Sequence, residues 1–150
     1  MMPMLFDPAK DDAALLAALH QTSFPDPWNE SAICDLLAGP GVFAHFTDNG
    51  FVMARAAGGE AEILTLAVAA AARGQGLGRR LLQSAAAHAA SSGAQSMFLE
   101  VGADNPAALA LYAGLGFARV GQREAYYASS GADAWVMQVK LPLPPGEKFA

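Results

Sequence analysis

The stretch Arg73-Gly74-Gln75-Gly76-Leu77-Gly78-Arg79-Arg80 holds the residue types and spacing that point most directly to chemistry. Glycines at alternate positions let neighbouring backbone N–H groups converge on one spot with no side chain in the way. An apolar run of strand composition, Ile63-Leu64-Thr65-Leu66-Ala67-Val68, precedes them. Leu77, Leu81, Leu82, Ala85 and Ala89 recur behind them at helical spacing. The segment reads as strand, glycine turn and helix, and the helix N-terminus adds a partial positive charge. Such a turn is an anion seat for phosphate or pyrophosphate. A bare turn ahead of a helix is the competing reading, because a short glycine cluster is weak evidence by itself.

Two nucleotide patterns fail here. The P-loop requires Gly-Lys-Ser/Thr where the chain has Gly78-Arg79-Arg80. The dinucleotide pattern begun at Gly74-Gln75-Gly76 requires glycine where Arg79 stands. The pattern that fits is Gln/Arg-x-x-Gly-x-Gly/Ala, on Arg73, Gly76 and Gly78.

The elements that must position this loop follow in order. Pro3–Phe6 can form a short strand. Asp11 or Asp12 can cap a helix to about Thr22 with Leu15, Leu16 and Leu19 buried. Two prolines break Phe24-Pro25-Asp26-Pro27-Trp28 into a loop, whose aromatics either meet a substrate or anchor the loop to the core. Asn29 or Ser31 can cap a second helix to about Ala38. Val42–Thr47 and Phe51–Ala57 read as strands around an Asn49-Gly50 hairpin signal. With the strand 61–68 they make three consecutive antiparallel strands. The helix from Gly76 to Ser91 ends at Gly93. Ser96–Val101 is then a strand parallel to 61–68. Asn105-Pro106 starts a further helix, asparagine as cap and proline at the first position. Phe117–Glu124 and Trp135–Leu141 are late strands. The proline-rich tail, 142–150, is expected to fray.

The 150 residues suit one domain, 1–150, with its own core. No run of about 18 apolar residues marks a membrane span, and the start lacks the pattern of a secretory signal. One cysteine, Cys34, excludes an intrachain disulfide and fits a reducing cytoplasm; beside Ile33, Leu36 and Leu37 it reads as a small core residue. A net charge of −5 speaks against nucleic acid and is compatible with a cationic substrate. His20, His45 and His88 are scattered without metal spacing and read as structural or exposed.

Three segments carry a resemblance in order and spacing: the loop Arg73–Gly78; Leu99-Glu100-Val101 followed by Asn105; and Ala108-Leu109-Ala110-Leu111-Tyr112 leading into Leu115-Gly116-Phe117. Together they resemble the core of the GNAT superfamily of N-acetyltransferases. Adding Arg123-Glu124-Ala125-Tyr126-Tyr127, and Phe24-Pro25 with Trp28, the chain is most similar to the RimI-like ribosomal-protein-alanine N-acetyltransferases over roughly residues 24 to 141. The resemblance implies an α/β GNAT fold: a mixed, mostly antiparallel sheet of six to seven strands, splayed after strand 4 and flanked by about four helices. It implies acetyl-coenzyme A as cosubstrate and no metal. The backbone of Leu66, Ala67 and Val68 would pair with the pantetheine arm. The amides from Gly74 through Gln75, Gly76, Leu77 and Gly78 to Arg79, behind Arg73, would hold the pyrophosphate. Asn105 would bond the pantetheine or hold the splayed strand. Glu100 would be the proton acceptor and Tyr112 the proton donor.

Chemistry gives independent reasons for such residues. Only a neutral amine attacks a thioester, and an α-amine of pKa about 8 is far easier to deprotonate than a lysine of about 10.4. A carboxylate can accept the released proton, an amide at the end of the strand such as that of Val68 can hold the oxyanion, and a phenol can protonate the departing thiolate. Glu100 alternates with Leu99 and Val101, so a solvated strand residue is its other reading; Tyr112 could be core with its hydroxyl at the surface. Tyr126 and Tyr127 either line a peptide groove or close the sheet.

The expected reaction is acetyl transfer to the N-terminal alanine of a protein, such as one of the small ribosomal subunit, in the cytoplasm. A small-molecule amine or a lysine is the alternative acceptor, and a non-catalytic coenzyme A-binding module the alternative of another class. One departure bears on the acceptor. Gly102-Ala103-Asp104 stands where the branch carries Arg-x-Ser, which removes a cation near the active site.

Overall fold

The periodic segments resolve, in a computed structural model that describes residues 2–124 and 131–144, into seven strands and four α-helices. They are β1 (Met4–Leu5), α1 (Ala13–Ser23), α2 (Glu30–Leu37), β2 (Val42–Thr47), β3 (Gly50–Ala57), β4 (Glu60–Val68), α3 (Leu77–Ser91), β5 (Ser96–Gly102), α4 (Pro106–Gly114), β6 (Ala118–Arg123) and β7 (Ala134–Lys140). A 3-10 turn, Ala70–Ala72, links β4 to the glycine loop. The sheet runs β1-β2-β3-β4-β5-β7-β6, and only β4 and β5 are parallel. The Tyr126–Tyr127 segment lies outside the described residues.

Each face of the sheet buries its own apolar cluster. The alanine- and leucine-rich side of α3, including Leu81, Leu82 and Ala85, packs on Val52, Ala54, Met97 and Leu99. On the other face Leu16, Leu19 and Ile33 of α1 and α2 cover Ala44, Phe51 and Met53. Each large side chain so buried is worth roughly 1.5–3 kcal/mol against exposure.

Two local features shape the gap in the sheet. Thr47 pairs with Gly50, so the tight turn is Asp48-Asn49 and Gly50 already belongs to β3. A Cβ on Gly50 would lie 2.8 Å from the Ala67 carbonyl oxygen, so this glycine serves the close approach of β4. The second feature is a bulge: Met53 pairs with Thr65 and Ala54 with Ile63, leaving Leu64 as an extra residue on β4. A bulge bends its strand and shifts side chains to the opposite face beyond it. Ala61 and Ile63 accordingly join the α3-side core, whereas Thr65 and Ala67 face α1 and Leu66 and Val68 take the α3 side. Pairing of β4 with β5 covers only Glu60–Glu62 against Ser96–Phe98. From the bulge onward the two strands part, which is the splay after strand 4.

Two expectations need correction. Cys34 is exposed, because on the short α2 only Ile33 is buried and Cys34 is turned away from it. The described start of the tail, 142–144, is packed: Leu143 lies on the α3-side core and Pro144 against Gly116. Two of the three histidines, far apart in sequence, meet in the fold. His45 Nε2 and His88 Nδ1 share a 2.9 Å hydrogen bond, with Phe43 stacked on His88.

Burial holds both rings of this pair below the ordinary histidine value of 6.5, and for His45 the neighbouring His88 adds to the effect. With folded values depressed, the unfolded chain binds more protons below that value. Stability is full above it and falls as pH drops through the lower folded values. Urea unfolding at about pH 7.5 and about pH 5.5 is expected to show this loss, and His88→Asn to flatten it. A wild-type stability that rises on acidification would contradict the assignment.

Candidate active site

The start of α3 differs from the other helix starts. Asp12, Asn29 and Asn105 cap α1, α2 and α4 by accepting from the amides of Ala14, Ala32 and Ala108. The α3 cap is Gly76, left-handed at φ 82°, with no side chain to satisfy the first amides. Those amides and the helix dipole favour an anion. Gly74 is also left-handed, at φ 76°. Gly78 serves a different purpose: a Cβ there would stand 3.2 Å from Leu111 Cδ2 and 3.9 Å from side-chain atoms of Leu66 and Val68. Its absence keeps open a cavity of about 530 Å³ between the end of β4, the loop and α4.

The side chains of the loop hold its shape. Arg73 Nε donates to the Val68 carbonyl at 3.0 Å, Gln75 Nε2 to that of Ala71 and Arg80 Nη1 to that of Gln75. Arg79 reaches the Gly114 carbonyl at 3.5 Å. Just past β4, the Ala69 N–H donates to the Asn49 carbonyl, just ahead of β3. Backbone direction alternates along a strand, so Leu66 and Val68 turn their amides and carbonyls toward the gap and Ala67 toward β3. Leu66, Val68, Arg73, Gly74, Gly76, Leu77, Gly78, Arg79 and Asn105 therefore surround one cavity. Ala67 and Gln75 do not: Ala67 is buried in the opposite core, and Gln75 folds back on the 3-10 turn.

A second cavity, of about 570 Å³, adjoins the first and shares Phe24, Leu66, Asn105, Ala108 and Leu111 with it. Glu100 from β5 and Tyr112 from α4 both line this one. The Tyr112 ring is 7 % exposed and meets Phe117 edge-on at 5.7 Å. Glu100 is partly buried, and Arg123 Nε from β6 stands 2.7 Å from its Oε2. A cation missing from 102–104 is thus present from another strand. Sequence reading attached no role to Arg123, although it stands in a quoted motif; its neighbour across the sheet is visible only through the β5-β7-β6 pairing. Phe24 and Trp28 anchor the loop by stacking on His20, and both line the second cavity.

Among the described residues no group of three or more His, Cys, Asp or Glu side chains is placed to hold a metal ion. No described helix is long and apolar enough to cross a membrane.

A strand end opened by a bulge, a glycine-started helix beside it, and a carboxylate and phenol in the adjoining cavity make up the candidate site. The Acetyltransferase (GNAT) family model matches residues 14–117, and the chain belongs to that family of acyltransferases. Within it, the chain is 38 % identical over 145 residues to the N-alpha-acetyltransferase RimI of Mycobacterium tuberculosis, covering 85 % of each. It is 31 % identical over 135 residues to the ribosomal protein bS18-alanine N-acetyltransferase of Escherichia coli K12, covering 86 % of this chain and 91 % of the other. A crystal structure of the ribosomal-protein-S18-alanine N-acetyltransferase from Escherichia coli matches with TM-score 0.81 and 27 % identity over 97 % of both chains. An uncharacterized protein of Mycobacterium leprae is 48 % identical over 79 residues, 53 % of this chain but only 21 % of that protein.

Proposed function

We propose that the chain transfers an acetyl group from acetyl-coenzyme A to the N-terminal α-amine of a protein, an alanine of a ribosomal protein being the foremost candidate. The observation that carries this is the junction of the two cavities. One has unsatisfied helix amides and a strand edge suited to a diphosphate and an amide-bearing arm. The other holds an acid–base pair suited to an amine.

The fit to acetyl-coenzyme A rests on Gly78, where any side chain would fill the cradle, and on the amides at Gly76–Arg79. When bound, the cosubstrate supplies an acetyl thioester, and all other roles fall to the chain. The Leu66 and Val68 backbone holds the pantetheine arm in the gap, and Asn105 both caps α4 and borders that arm. Glu100 takes the proton of the attacking amine, directly or through water, and Tyr112 gives one to the leaving sulfur. Arg123 pairs with Glu100 Oε2, which holds the carboxylate in one orientation with an oxygen to spare. Arg123→Gln is expected to lower kcat by about tenfold, a misoriented base being the cause, with the KM for acetyl-coenzyme A nearly unchanged. Unaltered turnover would remove Arg123 from the site.

The N-terminal reading finds support in the relatives' names and in the amine's own pKa, which asks for only a modest base. Mass spectrometry on a panel of N-terminal peptides, lysine side-chain peptides and small amines tests it. Addition of one acetyl group to Ala-starting peptides is expected. Acetylation of the small amines alone would overturn it.

A further inference from the structure

His20 is 3 % exposed and takes part in none of the steps above. It stands near the end of α1, where the Thr22 and Ser23 hydroxyls donate to the Leu19 carbonyl. The chain then doubles back through Pro25 and Pro27, so that two rings stack on the imidazole: Phe24 at 4.3 Å and Trp28 at 4.6 Å between centroids. The Trp28 backbone N–H donates to His20 Nδ1 at 3.0 Å. An amide N–H can only donate, so Nδ1 must carry a lone pair. A neutral ring then has its proton on Nε2, which lies 3.2 Å from Thr65 Oγ1 on β4. His20 Nε2–H is therefore the donor to Thr65, and the imidazole joins the 24–28 loop to the strand that borders the gap.

We propose that neutral His20 is a positioning residue for the acceptor: by accepting from Trp28 and donating to Thr65 it fastens the 24–28 loop as a wall of the acceptor cavity. The inference rests on reading that cavity as the acceptor site. Asp26, Trp28 and Thr65 line it and not the cosubstrate cavity, so acceptor recognition depends on His20 more than cosubstrate binding does. A second proton on the ring would set N–H against the Trp28 N–H and release the loop. Phe51 of β3 also meets the ring, and the carboxylates that line the same cavity are Asp26 on the loop, Glu62 on β4 and Glu100 on β5. Arg55 and Arg123 pair with the latter two. Burial also opposes protonation, so the fastened loop persists above the ordinary value of 6.5 and is lost as pH falls through the ring's lower one.

His20→Phe keeps a ring in the stack but removes both hydrogen bonds, whereas His20→Gln can replace both. For His20→Phe the acceptor-peptide KM is expected to rise about tenfold with kcat and the acetyl-coenzyme A KM within about twofold, and His20→Gln is expected to recover most of the loss. A merely structural histidine would lower the melting temperature and leave that ratio alone. Nitrogen-15 NMR of the wild-type imidazole is expected to show the Nε2–H tautomer; an Nδ1–H tautomer would overturn the inference. In a Trp135→Phe background the remaining Trp28 fluorescence is expected to shift on acidification in the wild type and to be insensitive to pH in His20→Phe. If the wild type acetylates the peptide and His20→Phe has the same acceptor KM, the inference falls and the function stands. If the wild type acetylates no N-terminal peptide, the function falls, and the NMR and fluorescence decide His20's hold on the loop. If His20→Phe does not fold, Thr65→Val takes its place: a raised acceptor KM supports the fastening and an unchanged one refutes it.

Discussion

Gly76→Asp is expected to weaken acetyl-coenzyme A binding by about 100-fold or more while leaving a folded protein. Gly76 caps α3 in the left-handed region, with open space except for Arg80 Nη1 at 3.4 Å from a built Cβ. Aspartate visits that region more readily than most residues, so the conformational cost is about 1 kcal/mol. The binding loss has two sources. The new carboxylate competes for the unsatisfied amides at the helix start, and it repels the diphosphate proposed to sit there. Isothermal titration with acetyl-coenzyme A measures the affinity, and a melting curve separates it from unfolding. An affinity equal to wild type would refute the placement of the pyrophosphate on Gly74–Arg79.

Tyr112→Phe is expected to lower kcat by about 100-fold with the dissociation constant for acetyl-coenzyme A within about twofold. Phenylalanine keeps the edge-on contact with Phe117 and the buried volume, so the substitution removes the hydroxyl alone. A thiolate leaving group, with a parent pKa of about 8.5, gains from a proton delivered as the bond breaks. Tyr112 lines the cavity proposed for the acceptor and not the loop cavity, hence the small effect on cosubstrate affinity. Single-turnover kinetics at saturating cosubstrate separates chemistry from product release. A rate equal to wild type would take Tyr112 out of the reaction.

Of these two residues, Gly76 stands out by local pattern and Tyr112 by the family resemblance of the motif around it. Glycine turn, asparagine cap and the spacing from Glu100 to Tyr112 are short-range features. Their energetics depend on near neighbours in the chain, so they are legible before any fold is known. The caps at Asp12, Asn29 and Asn105 illustrate this, each accepting from an amide two or three residues on. Cys34 departs from its local pattern for the complementary reason: apolar neighbours suggest burial, but on a helix as short as α2 what is buried is decided by the single face that meets the sheet.

The sequence by itself determined the order of elements, the mixed α/β class, the anion-suited loop and the family, because periodicity, glycine placement and motif spacing are properties of contiguous residues. Only the tertiary structure decided how β4 is used. Its bulge at Leu64 depends on pairing with β3, and that one extra residue turns Leu66 and Val68 toward the loop cavity and Ala67 away from it. Tertiary structure likewise set Arg123 on Glu100 and joined His20 to Thr65 across 45 positions of sequence. Such contacts arise from strand order and from side chains on separate elements facing one cavity, and no local spacing encodes either.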